Sequence, residues 1–571
     1  MLGYDGGALS HPVRSIEELI ITSGRFKTFT LVLCTFVAFI AYSNVLGSFF
    51  LSDDFAQIGK VLEGDLSVTW GQSHGGFFRP LFIFSYFFDA KLWSRTPFGF
   101  HLTNLLLHIL NAFLVFLLSQ SLIRDARLSE ARQQRAIPLA SALIFLLHPS
   151  HTEAVTWISG RADLLATIFA LLSTLSFVSF ARSTDRRTHL ALSLAFFALA
   201  LLSKEAAISV PFMMLCVGIY LAKHDAERDA SNRSFQTSAS RNVKAVALFF
   251  LLLVVYIGVR TAALGAMVGG YGTGQHLNFT HGVVVSQLLR FSLRALFPAL
   301  LLRSLPFLES RALSPILIVT GIVVIIVAAI ILRRRERRRT IAARVRRNTF
   351  AWLLAALFVS SLLPVINLRI NVFDTQGERF LYLASVFSSV ALAFITSKLI
   401  RNRTAWTATI VCLLAFYAVS LWQTNRIWRE ASVLSRNILD ETVRHATNDS
   451  ILLLNLPDNL RGAHLYRNGF EQALHSFQDA KPIRRAHVVA FHPLASANER
   501  LELNANEAGV FSLRPSNDKT TFERINDAPE CMEILEKSER LLRLRLRDCA
   551  PTTDVFYYSA GRIHAVEPRA Q

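Results

Sequence analysis

Two adjacent carboxylates, Asp53 and Asp54 in Ser52-Asp53-Asp54-Phe55, directly follow the first long apolar stretch, 28–51. Burying an unpaired charge beside hydrocarbon costs on the order of several kcal/mol, so the pair must face water, a cation or a substrate. A carboxylate in a partly desolvated site gains proton affinity and can take the proton of a hydroxyl. The competing reading is a helix end solvated among lipid headgroups. Near the ends of other apolar runs stand Arg79, Arg161, Lys204 and Arg379. Arginine offers a bidentate fork and lysine a point charge, and either suits a phosphate whose charge grows during reaction. Each could instead anchor headgroups or complete a structural ion pair. Beside them lie His148, His151, Glu153, Asp163, Glu205 and Glu378. His148, His151 and Glu153 have metal-binding chemistry, but no convergent third ligand is evident and no obligatory metal or other cofactor is expected. Asp163 opens an apolar run, where an acid also serves as a helix cap.

These residues must be positioned by membrane helices. Of the 571 residues 52% are hydrophobic, and they gather in runs near the ~20 residues that cross a bilayer. Eleven spans are expected, near 29–50, 102–122, 137–156, 164–181, 189–203, 206–222, 243–261, 314–332, 350–367, 381–397 and 405–422. The basic links, above all Arg333-Arg334-Arg335-Glu336-Arg337-Arg338-Arg339, all fall on one side if the N-terminal segment 1–28 is cytoplasmic. No removable signal peptide is expected in that segment, and the first span reads as a signal anchor. The C-terminus then lies outside, with the acidic pair and the four cations. Positions 283–302 are apolar, but Arg290 and Arg294 share one helical face. This stretch reads as an interfacial helix within a long external loop, 262–313, its arginines toward headgroups or substrate; a twelve-span chain is the alternative.

The formal charge of +19 sits in short links between spans rather than on a face interleaved with aromatics, which argues against nucleic-acid binding. No CxxC, HExxH, P-loop or GxSxG element is present, against zinc-hydrolase, ATPase and α/β-hydrolase readings. Gly269-Gly270-Tyr271-Gly272-Thr273-Gly274 lacks the flanking strand and helix of a nucleotide loop and reads as a mobile loop.

The expected division is therefore a transmembrane domain over 29–422, with a first external loop at 51–101, and an extracytoplasmic domain over 423–571. The latter reads as a small soluble α/β or β-rich unit: a helix over 425–445 continuing the last span, a strand over 451–457 ended by Pro457, a second over 486–491, and a hairpin about Ser559-Ala560-Gly561. Cys531 and Cys549 lie within it, and a disulfide between them suits an oxidising compartment.

An ordered set of motifs resembles one known group. Arg79-Pro80-Leu81, the run Pro97 to His108, His148-Pro149-Ser150-His151-Thr152-Glu153-Ala154-Val155, Gly160-Arg161-Ala162-Asp163-Leu164-Leu165-Ala166, Ser203-Lys204-Glu205 and Glu378-Arg379-Phe380-Leu381-Tyr382-Leu383 occur in this order. The set is similar to that of the transmembrane and tetratricopeptide-repeat O-mannosyltransferases and their bacterial relatives. These are GT-C class membrane glycosyltransferases, a class shared with protein O-mannosyltransferases and aminoarabinose transferases. The resemblance implies a GT-C-like helical fold in a bacterial plasma or inner membrane. It also implies a polyprenyl-phosphate-linked sugar donor, mannose or another hexose, and inverting transfer to a protein or glycan acceptor on the outer face. It places the first-loop acidic pair at the catalytic centre, with Asp53 slightly favoured as the base. Positions 423–571 show no 34-residue repeat, so the family's protein acceptors do not transfer. The stretch from Leu454 through Gly469 resembles C-terminal domains of bacterial relatives. A transporter or flippase of lipid-linked glycan, and a non-catalytic scaffold presenting the C-terminal domain, are the competing readings.

Overall fold

The computed structural model describes residues 16–566 apart from 66–68, 70–75, 126–132, 184, 230–231, 267–269, 271–280, 305–340, 369, 479–482, 508, 518–519, 528, 530 and 548–552. The span expected at 314–332, the arginine-rich link after it, most of the Gly269–Gly274 loop and Cys549 fall outside those residues.

The chain is a polytopic α-helical membrane protein with a C-terminal β-rich domain. Among the described residues, seven helices are long and apolar enough to cross a bilayer: Gly24–Tyr42, Pro97–Arg124, Ile158–Arg182, Glu205–Asp225, Phe235–Leu264, Glu378–Leu399 and Arg403–His445. In chain order the helices are α1 (Ile16–Tyr42), α2 (Asp53–Leu62), α3 (Pro80–Trp93), α4 (Pro97–Asp125), α5 (Gln133–Leu146), α6 (Thr152–Thr156), α7 (Arg161–Arg182), α8 (Arg186–Ser203), α9 (Val210–Asp229), α10 (Asn232–Leu264), α11 (His281–Arg294), α12 (Ala299–Arg303), α13 (Ile341–Leu362), α14 (Tyr382–Leu399), α15 (Arg403–His445) and α16 (Phe470–Ser476). Each apolar run expected as a span, outside 314–332, meets one of these helices.

Two expectations for the helical part are corrected. The third span does not reach 156: α5 stops at Leu146, because Pro149 cannot continue a helix and the His148 side chain caps the next turn. Asp53 and Asp54 form the first turn of α2, where the helix dipole favours carboxylates. The 283–302 stretch forms the 14-residue α11 and the short α12, too short to span, but only Arg290 faces outward. Arg294 is buried and pairs with Glu378.

Helix α15 carries the last span straight into the C-terminal domain. There β1 (Ser450–Leu460) is buried along nearly its whole length, since both of its faces are covered. Ile451 and Leu453 pack on one side with helices and first-loop residues, while Leu452 and Leu454 face the second sheet. Strand β1 continues past Pro457, which sits at a register shift where a missing N–H is tolerated. The other strands are β2 (Ala463–His464), β3 (Arg485–Leu494), β4 (Leu501–Glu507), β5 (Val510–Pro515), β6 (Arg524–Ile525), β7 (Met532–Lys537), β8 (Leu542–Leu546), β9 (Thr553–Ser559) and β10 (Arg562–Ala565). One mixed sheet runs β10-β9-β1-β3-β6, with β2 beside β1; an antiparallel sheet runs β4-β5-β8-β7. The expected β9–β10 hairpin turns at Ala560 and Gly561, both at positive φ.

This domain is not a pendant. Phe50, Leu51, Phe55 and Ile58 of the first loop share one core with Leu456, Leu460, Tyr466 and Phe470 of the C-terminal domain.

Candidate active site

The acidic pair splits into two environments. Ser52, at φ 51°, turns the chain so that α2 starts at once. Asp54 points inward and is 1% exposed. Its Oδ2 accepts from the Leu51 N–H at 3.0 Å; its Oδ1 accepts from the Ser159 N–H at 2.8 Å and the Ser159 hydroxyl at 2.5 Å. Burial pushes its carboxyl up to about 7, despite these donors. Asp53 is half-buried at the rim, and its Oδ1 accepts from the Asn468 amide at 2.8 Å.

The four predicted cations all lie in ion pairs. Arg79 donates Nε and Nη2 to Glu205 Oε2 at 3.0 and 2.8 Å. Lys204 Nζ lies 2.5 Å from Asp163 Oδ2, so Asp163 is a partner as well as an acid in the first turn of α7. Arg379 pairs with Glu153, which also accepts from the Arg379 N–H at 2.8 Å. Lys204 and Arg379 lie over the ring of Phe380, 5.5 and 4.7 Å from its centroid.

Arg161 is different in kind. It is wholly buried and spends all five N–H groups on protein acceptors: Asp89 and the Phe100 carbonyl from Nη2, Asn104 from Nε, and the Ser85 carbonyl and hydroxyl from Nη1. Tyr86 covers its face at 4.7 Å. In this arrangement no donor of Arg161 is left for a ligand, so its geometry is that of a tie between α3, α4 and α7. Gly160 before it has no room for a side chain, since a Cβ would fall 2.5 Å from the Ala154 carbonyl.

The His148–Glu153 turn packs beneath these pairs. His148 accepts from the Ser150 N–H at 3.3 Å, its Nδ1 lies 2.7 Å from the Ser150 hydroxyl, and its Nε2 meets the Ala295 carbonyl at 3.0 Å. His151 Nε2 lies 2.7 Å from the Ser385 hydroxyl. Burial holds His148 down at about 4 and His151 well below its ordinary value, so both are neutral imidazoles. Among the described residues no cluster of three or more His, Cys, Asp or Glu is arranged to hold a metal ion.

Glu153 is fully buried. Burial raises its carboxyl, but Arg379 and a bond from His464 outweigh it and hold the group at about 2. Residues outside the predicted set thus complete the site. His464 Nε2 lies 3.1 Å from Glu153 Oε1, with its ring against Trp157 and Trp428. Trp157 in turn donates Nε1–H to the Leu51 carbonyl at 3.1 Å and lies under Arg379 at 5.0 Å. Two signals for these residues were present in the sequence. Asp89 is a lone acid in the aromatic run Pro80–Trp93, a charge that needs a partner. The stretch 462–469 packs His, Arg and Asn between two glycines, a mark of a shaped loop.

No family model matches the chain. It is 32% identical over 200 residues to Protein O-mannosyl-transferase Tmtc1 of Drosophila melanogaster, covering 32% of this chain and 22% of that protein. It is 24% identical over 418 residues to Protein O-mannosyl-transferase F38B6.6 of Caenorhabditis elegans, covering 66% of this chain and 53% of the other. The chain thus spans between about a fifth and about a half of these relatives' length. Among solved structures, ArnT from Cupriavidus metallidurans bound to undecaprenyl phosphate aligns with 91% of this chain and 98% of its own, at 11% identity and a TM-score of 0.41. The S. cerevisiae protein O-mannosyltransferase Pmt1-Pmt2 complex bound to the sugar donor aligns with 42% of this chain and 34% of its own, at 16% identity and a TM-score of 0.31. In sequence, the chain is similar to the protein O-mannosyl-transferases, the group that its ordered motifs resemble.

Proposed function

We propose that the chain is an inverting glycosyltransferase that moves a hexose from a polyprenyl-phosphate donor to an acceptor hydroxyl at the outer membrane face. The observation that carries this reading is the division of labour between Asp53 and Asp54. Asp54 is enclosed, its two oxygens held by three donors, so it fixes the turn rather than meeting a substrate. Asp53 stands at the rim, where the Asn468 amide donates to it and an incoming hydroxyl can reach it. Asp53 is then the base.

In the step proposed, the acceptor O–H gives its proton to the Asp53 carboxylate. Its oxygen bonds to the anomeric carbon from the side opposite the leaving group. The bond from that carbon to the phosphate oxygen breaks, and polyprenyl phosphate leaves with the electron pair. Arg79, Lys204 and Arg379, gathered around Glu205, Asp163 and Phe380, are the cations that oppose the growing phosphate charge. Their carboxylate partners hold them in place beforehand, so little reorganisation accompanies reaction. Arg161 acts through position alone. The relatives named protein O-mannosyl-transferases support the reaction class, and a protein or glycan hydroxyl is the acceptor class to test.

The test uses the full chain in lipid nanodiscs with polyprenyl-phosphate mannose or glucose and a bacterial envelope fraction as acceptor. Release of polyprenyl phosphate is expected from the wild type and at least a hundredfold less from Asp53→Asn. Equal release from both would remove Asp53 as the base.

A further inference from the structure

Chemistry assigned to a membrane loop needs that loop held still, and here the holding is done by the C-terminal domain. Three contacts from one short segment converge on the turn at Ser52–Phe55. Tyr466 stacks on Phe55 with ring centroids 5.6 Å apart and planes 13° from parallel. The Tyr466 hydroxyl is itself fixed, donating to the Ser435 carbonyl of α15 at 2.6 Å. Gly469, at φ 82°, lies so close that a Cβ there would be 2.6 Å from the Ser52 carbonyl oxygen. Asn468 between them donates its amide to Asp53 Oδ1 at 2.8 Å.

We infer that Asn468 is a positioning residue for Asp53, and that the Tyr466–Phe470 segment makes the C-terminal domain part of the reaction centre. The inference rests on the reading of Asp53 as the base. An amide N–H donated to one carboxylate oxygen restricts rotation of the carboxylate and so fixes where its other oxygen stands. Asn468 is exposed and on a loop, so its side chain adds nothing to the core that a neighbouring residue does not already supply.

The experiment compares Asn468→Ala, Asn468→Asp and Asp53→Asn in the full chain, reading polyprenyl phosphate release from polyprenyl-phosphate mannose or glucose across pH 5 to 9. Asn468→Asp has the same shape, so folding is preserved, but sets a second negative charge against Asp53. Its acid limb is expected to move up by about one pH unit, with roughly a tenfold lower rate on that limb. Asn468→Ala is expected to lower kcat with KM little changed. A purely structural role would lower the rate of Asn468→Asp at every pH without moving its limb, and that result overturns the inference. So do variants with wild-type rate and profile while Asp53→Asn is inactive, which leaves Asp53 as base. If Asp53→Asn keeps the wild-type rate, the reading of Asp53 falls and this inference with it.

Discussion

Glu153 Oε1 and His464 Nε2 lie 3.1 Å apart although 311 residues separate them in sequence, which locks the C-terminal domain to the turn before α7. Glu153 also holds Arg379, and this carboxylate is wholly buried. Replacing it by Gln removes the buried negative charge that faces Arg379 and His464, and breaking such a buried pair costs about 3–5 kcal/mol. Glu153→Gln is therefore expected to lower the melting temperature in detergent sharply at neutral pH. The folded carboxyl is depressed from 4.5 to about 2, so its contribution is full above 4.5 and fades as pH falls toward 2. The gap between wild type and variant should close over that window, and a gap constant with pH would contradict the assignment.

Arg161 makes the opposite kind of prediction from the other cations. Its five donated bonds tie α3, α4 and α7, and lysine can reproduce neither the fork nor their number. Arg161→Lys is expected to lose folded protein, seen as a missing monodisperse peak in size-exclusion chromatography. Arg79→Lys keeps a charge beside Glu205 and is expected to remain folded while release of polyprenyl phosphate falls about tenfold or more. If Arg161→Lys is instead folded and merely slow, Arg161 belongs with the phosphate ligands.

Asp54 titrates in the reverse sense to Glu153. Its folded carboxyl is raised by burial from 3.8 to about 7, so its contribution to stability is full below 3.8 and is lost as pH rises through 7. Wild-type melting temperature should carry a downward component across that range. Asp54→Asn, which cannot ionise, should lack that component while losing about 1 kcal/mol where an amide faces the Leu51 N–H. A variant with the same slope as the wild type would show that Asp54 is not the group titrating.

Much of the helical domain was legible because apolar runs of bilayer length are a one-dimensional signal. The runs near 102–122 and 164–181 needed no partner to be recognised and became α4 and α7. Partners were not legible in the same way. Arg161 stood out as a cation, but Asp89 and Asn104, which take two of its five donors, come from two other helices. Likewise Asp53 was visible as one of a pair, whereas its distinction from Asp54 depends on Ser159, 105 residues away, closing over one carboxylate and not the other. Period-two patterning could not separate the two faces of β1, because the strand is covered on both.

Gly469 offers the sharpest test of how closely the two domains must fit. Its φ of 82° favours glycine, and an added Cβ would fall 2.6 Å from the Ser52 carbonyl oxygen and 3.1 Å from the Phe55 Cβ. The first of these is backbone, which cannot swing aside, so the turn that opens α2 has to move. The left-handed conformation alone costs an alanine about 1 kcal/mol, and the displaced turn adds to that. Asp53 is the next residue after Ser52, and a shift of about 1 Å in a reacting group can cost on the order of a hundredfold in rate. Gly469→Ala is thus expected to stay folded, with a melting temperature lowered by a few degrees, while release of polyprenyl phosphate falls roughly a hundredfold. Gly561→Ala, also at positive φ but in the β9–β10 turn with the nearest atom at 3.3 Å, should show a similar thermal loss with activity retained. If the two variants lose activity equally, the effect is general destabilisation and the Gly469 contact has no special link to the acidic pair.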